Sequence, residues 1–106
     1  MIDDSLAGGL AALGHPIRLA LYRLLVESGS DGIGPVAIAA SMEIQRNLVS
    51  YHLQPLVAAG LVTSQRRGRD VNYRAEPIGL NRLARALLAL SDSEPIEQAE
   101  EVAAGA

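Results

Sequence analysis

Eight side chains able to contact nucleic acid fall within ten positions: Gln45, Arg46, Asn47, Leu48, Ser50, Tyr51, His52 and Gln54. Asn47 and Gln54 can each form a pair of hydrogen bonds with adenine, and Arg46 can do the same with guanine. Ser50 and Tyr51 suit phosphate oxygens. His52 either touches a phosphate or packs against a neighbouring helix. Beyond an Ala59-Gly60 stop come Arg66, Arg67, Arg69 and Arg74, set around Gly68. Arginines clustered on a turn suit a phosphate backbone or a narrow minor groove. A helix rich in hydrogen-bonding groups followed by a basic strand–turn–strand is the pattern of a winged helix-turn-helix, in which the helix enters the major groove and the hairpin grips the flank.

The chain has 106 residues and a net charge of −3, which suits a DNA binder only once the charge is divided by region. Residues 1–43 carry two Arg against five acids, and residues 91–106 carry five acids and no base. Residues 44–75 carry five Arg against Asp70 alone, and residues 76–90 are net +1. A phosphate senses charge within a Debye length of roughly 8–10 Å, so the local positive field decides.

Other chemistries find little support. With no cysteine, the chain has no disulfide, thiolate metal site or thiol sensor. His15 and His52 are the only histidines, and no metal ligand set or cofactor motif accompanies them. Ser50 and His52, two apart on a helix, face different directions and cannot form a nucleophile–base pair. Gly29, Gly32 and Gly34 do not form a phosphate-binding loop. The reading is therefore not an enzyme. No apolar run is long enough to span a membrane, and the acidic start MIDDSLAGGL lacks the basic charge of a secretory signal, so a cytoplasmic location is expected.

The elements that must position these residues follow from periodicity. Leu6–Leu13 reads as a short helix with Leu6, Leu10 and Leu13 on one side. Gly14 breaks it, His15 takes a cap position and Pro16 opens a core helix to Glu27 carrying Ile17, Leu21, Leu24 and Leu25. Pro35–Ser41 forms a third helix. Residues 45–59 form the fourth, with Val49, Leu53, Leu56 and Val57 facing inward and Pro55 expected to kink it. Leu61–Gln65 and Val71–Ala75 read as strands of a wing spanning about 62–75. Leu80, Leu83, Leu87 and Leu90 recur at steps of three and four, a seam on a last helix. The fold class expected is mainly α with a small β-hairpin, a dimeric winged helix-turn-helix over residues 1–90. Residues 91–106 form an acidic, disordered tail.

Three segments carry a family resemblance. LAALGHPIRLALYRLL (residues 10–25), LVSYHLQPLVAAGLV (48–62) and RRGRDVNY (66–73) appear in the order and spacing of the arsenic-repressor (ArsR/SmtB) family. The chain resembles these dimeric bacterial repressors over roughly residues 6–90. The resemblance implies a double-stranded DNA operator as partner, read as an imperfect palindrome. It implies a homodimer held by the first and last helices through Leu6, Leu10, Leu13, Leu80, Leu83, Leu87 and Leu90. Two leucine stripes also exceed what one thin domain can cover. Leu48 stands where the family usually has Thr or Ser, and could meet a thymine methyl. Many family members sense thiophilic metals through cysteines, which this chain lacks, and some place vicinal cysteines where it has Ser91-Asp92-Ser93. The effector is then a small molecule, a partner protein, a carboxylate-based metal site or nothing at all. The rival reading is a winged-helix interaction module, such as an antitoxin or co-regulator, without strong DNA binding.

Overall fold

The computed structural model describes residues 4–92, as five helices and one antiparallel hairpin. The elements are α1 (Asp4–Leu13), α2 (Pro16–Ser28), α3 (Pro35–Met42), α4 (Arg46–Ala58), β1 (Val62–Arg67), β2 (Asp70–Ala75) and α5 (Pro77–Asp92). Every expected element is present, and no end is moved by more than three residues. Ser91 and Asp92 continue α5 rather than beginning a tail, and residues 93–106 lie outside the described residues.

The α1–α2 corner is made by local chemistry. His15 is extended, its Nδ1 accepts the Ile17 N–H at 3.1 Å, and Pro16 occupies the first helical position, where no amide hydrogen is needed. Arg18 then reaches back, its Nε donating to the Ala12 carbonyl at 2.7 Å and Nη2 to Ala11 at 3.3 Å. A cation on the last carbonyls of α1 satisfies groups that no helix partner reaches and complements the helix dipole.

The turn between α3 and α4 contains Glu43 in the left-handed region, φ 55° and ψ 45°. Its N–H bonds to the Ala39 and Ala40 carbonyls, and Ile44 N–H reaches the Ala39 carbonyl at 3.1 Å. Glycine usually fills such a position, and here a glutamate takes it. Pro55 lies inside α4, which continues through it to Ala58.

Leu21, Leu25, Ile38, Val49, Leu53, Leu56, Leu61 and Val62 form the centre of an aliphatic core. Leu13, Leu24, Tyr73, Ala75 and Leu80 pack around it. Val57, expected inward, is 40% exposed, because it lies one residue past the buried Leu56 stripe. The last-helix seam also divides. Leu80 and Leu83 turn into the chain, Leu83 lying against Gly9 of α1, whereas Leu87 and Leu90 are exposed.

The hairpin pairs Val62 with Ala75 through to Arg67 with Asp70. Gly68, at φ +64°, makes the tip turn. Its root is broadened by Ile33, whose N–H and carbonyl exchange hydrogen bonds with Tyr73 at 2.9 Å each. Below it, Glu76 N–H bonds to the Leu61 carbonyl at 2.8 Å, and α5 begins so close to Gly60 that a Cβ on Gly79 would overlap the Gly60 carbonyl oxygen. Glycine is required there by close approach, not by dihedral angle.

Candidate nucleic-acid interface

Helix α4 divides along its length into two faces. Val49, His52, Leu53 and Leu56 are buried against the core. Arg46, Asn47, Ser50, Tyr51 and Gln54 are exposed, Tyr51 at 64%. Leu48, at 37%, also reaches the surface. These are the side chains expected to meet base edges and phosphates, and the fold places them together on one convex strip. Gln45 is the N-cap residue and is exposed, but no side chain caps the helix. The Leu48 N–H bonds to the Gln45 carbonyl at 3.0 Å, the N–H groups ahead of it have no side-chain cap, and the helix dipole adds to the charge of Arg46.

His52 does not belong to that strip. It is 4% exposed, with its ring centroid 4.9 Å from His15 and 5.0 Å from Tyr51. Its Nδ1 has no hydrogen-bond partner. Burial lowers its pKa below the ordinary 6.5, and the neighbouring His15 and Arg18 lower it further. A neutral buried ring here contacts no phosphate; the packing alternative is the one the structure adopts. The spacing carried the signal: His52 is three residues after Val49 and four before Leu56, on the core stripe.

The hairpin arginines divide in the same manner. Arg66, Arg67 and Arg69 surround the tip and are exposed. Among the described residues the one ion pair is Arg74–Glu76, at 3.8 Å, so Asp70 pairs with none of the tip arginines. Arg74 is placed differently from the expectation that it joins the tip. It stands opposite Thr63 at the root, and Glu76 beside it accepts the Thr63 hydroxyl at 2.9 Å. Asn72, on the same strand, donates to the Asp31 carbonyl at 3.3 Å and ties the hairpin to the α2–α3 loop.

Helices α1 and α5 border a groove of about 480 Å³ lined by Leu6, Gly9, Ile78, Arg82, Leu83 and Ala86. Of the seven leucines expected at a dimer contact, Leu10, Leu87 and Leu90 are exposed and Leu6 is half-buried. Leu13, Leu80 and Leu83 instead fill this chain's own interior. Two exposed apolar residues were missed, Ile78 and Leu88, each 61% exposed on α5. They stand off the three-four seam that drew attention to the others. No described helix is long and apolar enough to cross a membrane.

Comparison with known proteins gives a consistent picture. A helix-turn-helix domain family matches residues 13–65. Over 73 residues, 69% of this chain, the sequence is 40% identical to the HTH-type transcriptional repressor SmtB of Mycobacterium tuberculosis, and it spans 52% of that relative's length. Among solved structures, an ArsR-like transcriptional regulator from Rhodococcus sp. RHA1 is 31% identical, with a TM-score of 0.74 over 95% of this chain and 89% of that one. A possible transcriptional regulator for arsenical resistance is 33% identical, with a TM-score of 0.71 over 99% and 98%. A homodimeric winged helix-turn-helix DNA-binding domain from Mycobacterium bovis, solved by NMR, is 30% identical, with a TM-score of 0.64 over 90% and 84%.

Proposed function

The chain belongs to the ArsR/SmtB family of winged helix-turn-helix transcriptional regulators, and from that premise we propose that it is a dimeric, cytoplasmic repressor that binds double-stranded DNA. One observation carries the reading. The exposed strip of Arg46, Asn47, Ser50, Tyr51 and Gln54 shares a molecule with a hairpin tip whose three arginines have no partner within the described chain. Exposed, unpaired cations in the same molecule as an exposed polar helix face suit a polyanion with readable edges.

In this reading α4 enters the major groove, with Leu48 able to meet a thymine methyl. The hairpin tip straddles the backbone or enters the adjacent minor groove. Two subunits related by a twofold axis joining their α1 and α5 helices present two α4 helices to an imperfect palindrome. Half-site centres then lie roughly 10–20 base pairs apart. The exposed Leu10, Leu87, Leu88 and Leu90 support that contact, as does the homodimeric relative. Thiophilic metal sensing is not part of the proposal, since the sequence has no cysteine. The effector classes left are a small molecule, a partner protein, a carboxylate-based metal site or none at all.

Fluorescence anisotropy with the DNA upstream of the chain's own gene, against random DNA, tests it. Arg46→Ala and Gln54→Ala should each cost about 1–3 kcal/mol on the operator and little on random DNA, if the contacts to bases are bidentate. Equal losses on both would assign these side chains to phosphate. No binding even at low salt would leave the interaction-module reading in place.

A further inference from the structure

The hairpin root borders a second cavity, separate from the α1–α5 groove. It is a cleft of about 300 Å³ between the C-terminal half of α2, strand β2 and the start of α5. Leu25, Val26, Pro77 and Leu80 supply apolar wall, and Tyr22 and Arg74 are among its polar lining residues. Small-molecule sites run from about 300 to 1,000 Å³, so this one suits a compact ligand.

The two polar groups are incompletely satisfied. Tyr22 is only 5% exposed, yet its hydroxyl has no hydrogen-bond partner. Arg74 Nε is also buried without an acceptor. Glu76 does not answer either need. Its carboxylate lies 3.8 Å from the Arg74 terminal nitrogen Nη2 and already accepts the Thr63 hydroxyl, which leaves the Nε–H open. Burial, with the Glu76 charge adding to it, raises the Tyr22 phenol above its ordinary pKa, so at neutral pH the phenol keeps its proton and can donate. Orphaned polar atoms in a folded interior are uncommon, and two on one cleft ask for an oxygen from outside.

We infer that this cleft binds a small monocarboxylate with a compact apolar body, its oxygens accepting from Tyr22 and from Arg74 Nε while its hydrocarbon lies against Leu25, Val26, Pro77 and Leu80. A guanidinium favours a charged acceptor over a neutral one, and the apolar wall selects against small hydrophilic anions. The ligand would touch the root of the hairpin and the first turn of α5 at once. Any effect on DNA rests on the function proposed above; the binding itself does not.

The test is a ¹⁵N NMR titration of the full chain, without DNA, using sodium benzoate and sodium hexanoate, with benzamide as the neutral comparison. Saturable shifts confined to the cleft are expected from both carboxylates. Each should bind at least about tenfold more tightly than the amide. Tyr22→Phe and Arg74→Gln should each weaken binding by about tenfold or more while keeping a dispersed spectrum. The inference is overturned if neither carboxylate gives saturable shifts at millimolar concentration, or if the shifts map to the α1–α5 groove. It is equally overturned if benzamide binds as well, or if Tyr22→Phe binds like the parent chain. Should Arg74→Gln fail to fold, Tyr22→Phe alone decides. Because DNA is absent, the outcome stands whatever becomes of the operator reading.

Discussion

Four arginines lie on one hairpin, and its two ends use them in opposite ways. At the tip, Arg66, Arg67 and Arg69 are exposed and unpaired around a glycine turn. At the root, Arg74 is half-buried in a cluster with Glu76 and Thr63, beside the Ile33–Tyr73 bridge and the Gly60–Gly79 contact. Residue type alone does not distinguish them. Distance from the core does: a cation within reach of α2 and α5 acquires partners, whereas one two residues from the turn has only solvent or a ligand to meet. The tip should therefore govern binding and the root should govern folding.

The largest break in that contrast is expected from Gly79→Ala at the root. The new Cβ would overlap the Gly60 carbonyl, which is backbone, with no flexible side chain to yield. A loss of about 3 kcal/mol, or failure to fold, is expected in urea denaturation. A stable Gly79→Ala protein would mean that α5 can slide away from the hairpin root.

At the tip the effect should appear only with DNA. Replacing Arg67 and Arg69 together by alanine should weaken operator and random DNA alike. The slope of log affinity against log salt should become shallower by about two to four units for a dimer. Urea denaturation should move by no more than about 0.5 kcal/mol. An unchanged salt slope would make the tip a structural hairpin and leave binding to α4 alone.

Smaller effects sharpen the boundary. Thr63→Val removes the hydroxyl from Glu76 and should cost about 1 kcal/mol of stability, with DNA affinity unaltered. His52 supplies the same contrast on α4. Its pKa is lowered in the folded chain, so the unfolded chain takes up the proton first. Stability is then complete above about pH 6.5 and declines as pH falls below that value, down to the lower folded pKa. Thermal melts across that window should show the decline, and His52→Gln should flatten it. A pH-independent parent chain would contradict the buried, neutral imidazole.

What the sequence disclosed depended on how local each device is. The His15-Pro16 helix start was legible because the cap and the proline act within three residues. The exposed strip of α4 was legible from the core stripe it opposes, and the same stripe, read strictly, includes His52. The left-handed backbone of Glu43 in the turn before α4 was not legible, since a glutamate there carries no compositional mark. Arg74 was grouped with the tip because its partner Glu76 gains its position from Thr63, thirteen residues away across the hairpin. The leucine seam gave the right helix but not its division, because periodicity identifies a stripe and says nothing of which end α1 covers.

The placement of the tyrosines has an optical consequence. With no tryptophan in the chain, tyrosine emission is not lost to an indole acceptor. Its three tyrosines stand one each at the cleft, on the exposed face of α4 and at the hairpin root: Tyr22, Tyr51 and Tyr73. Double Tyr→Phe replacements, each leaving one tyrosine in place, therefore convert the unlabelled protein into separate fluorescent reporters of ligand entry, DNA contact and hairpin movement, with no dye attached to any of the surfaces under study.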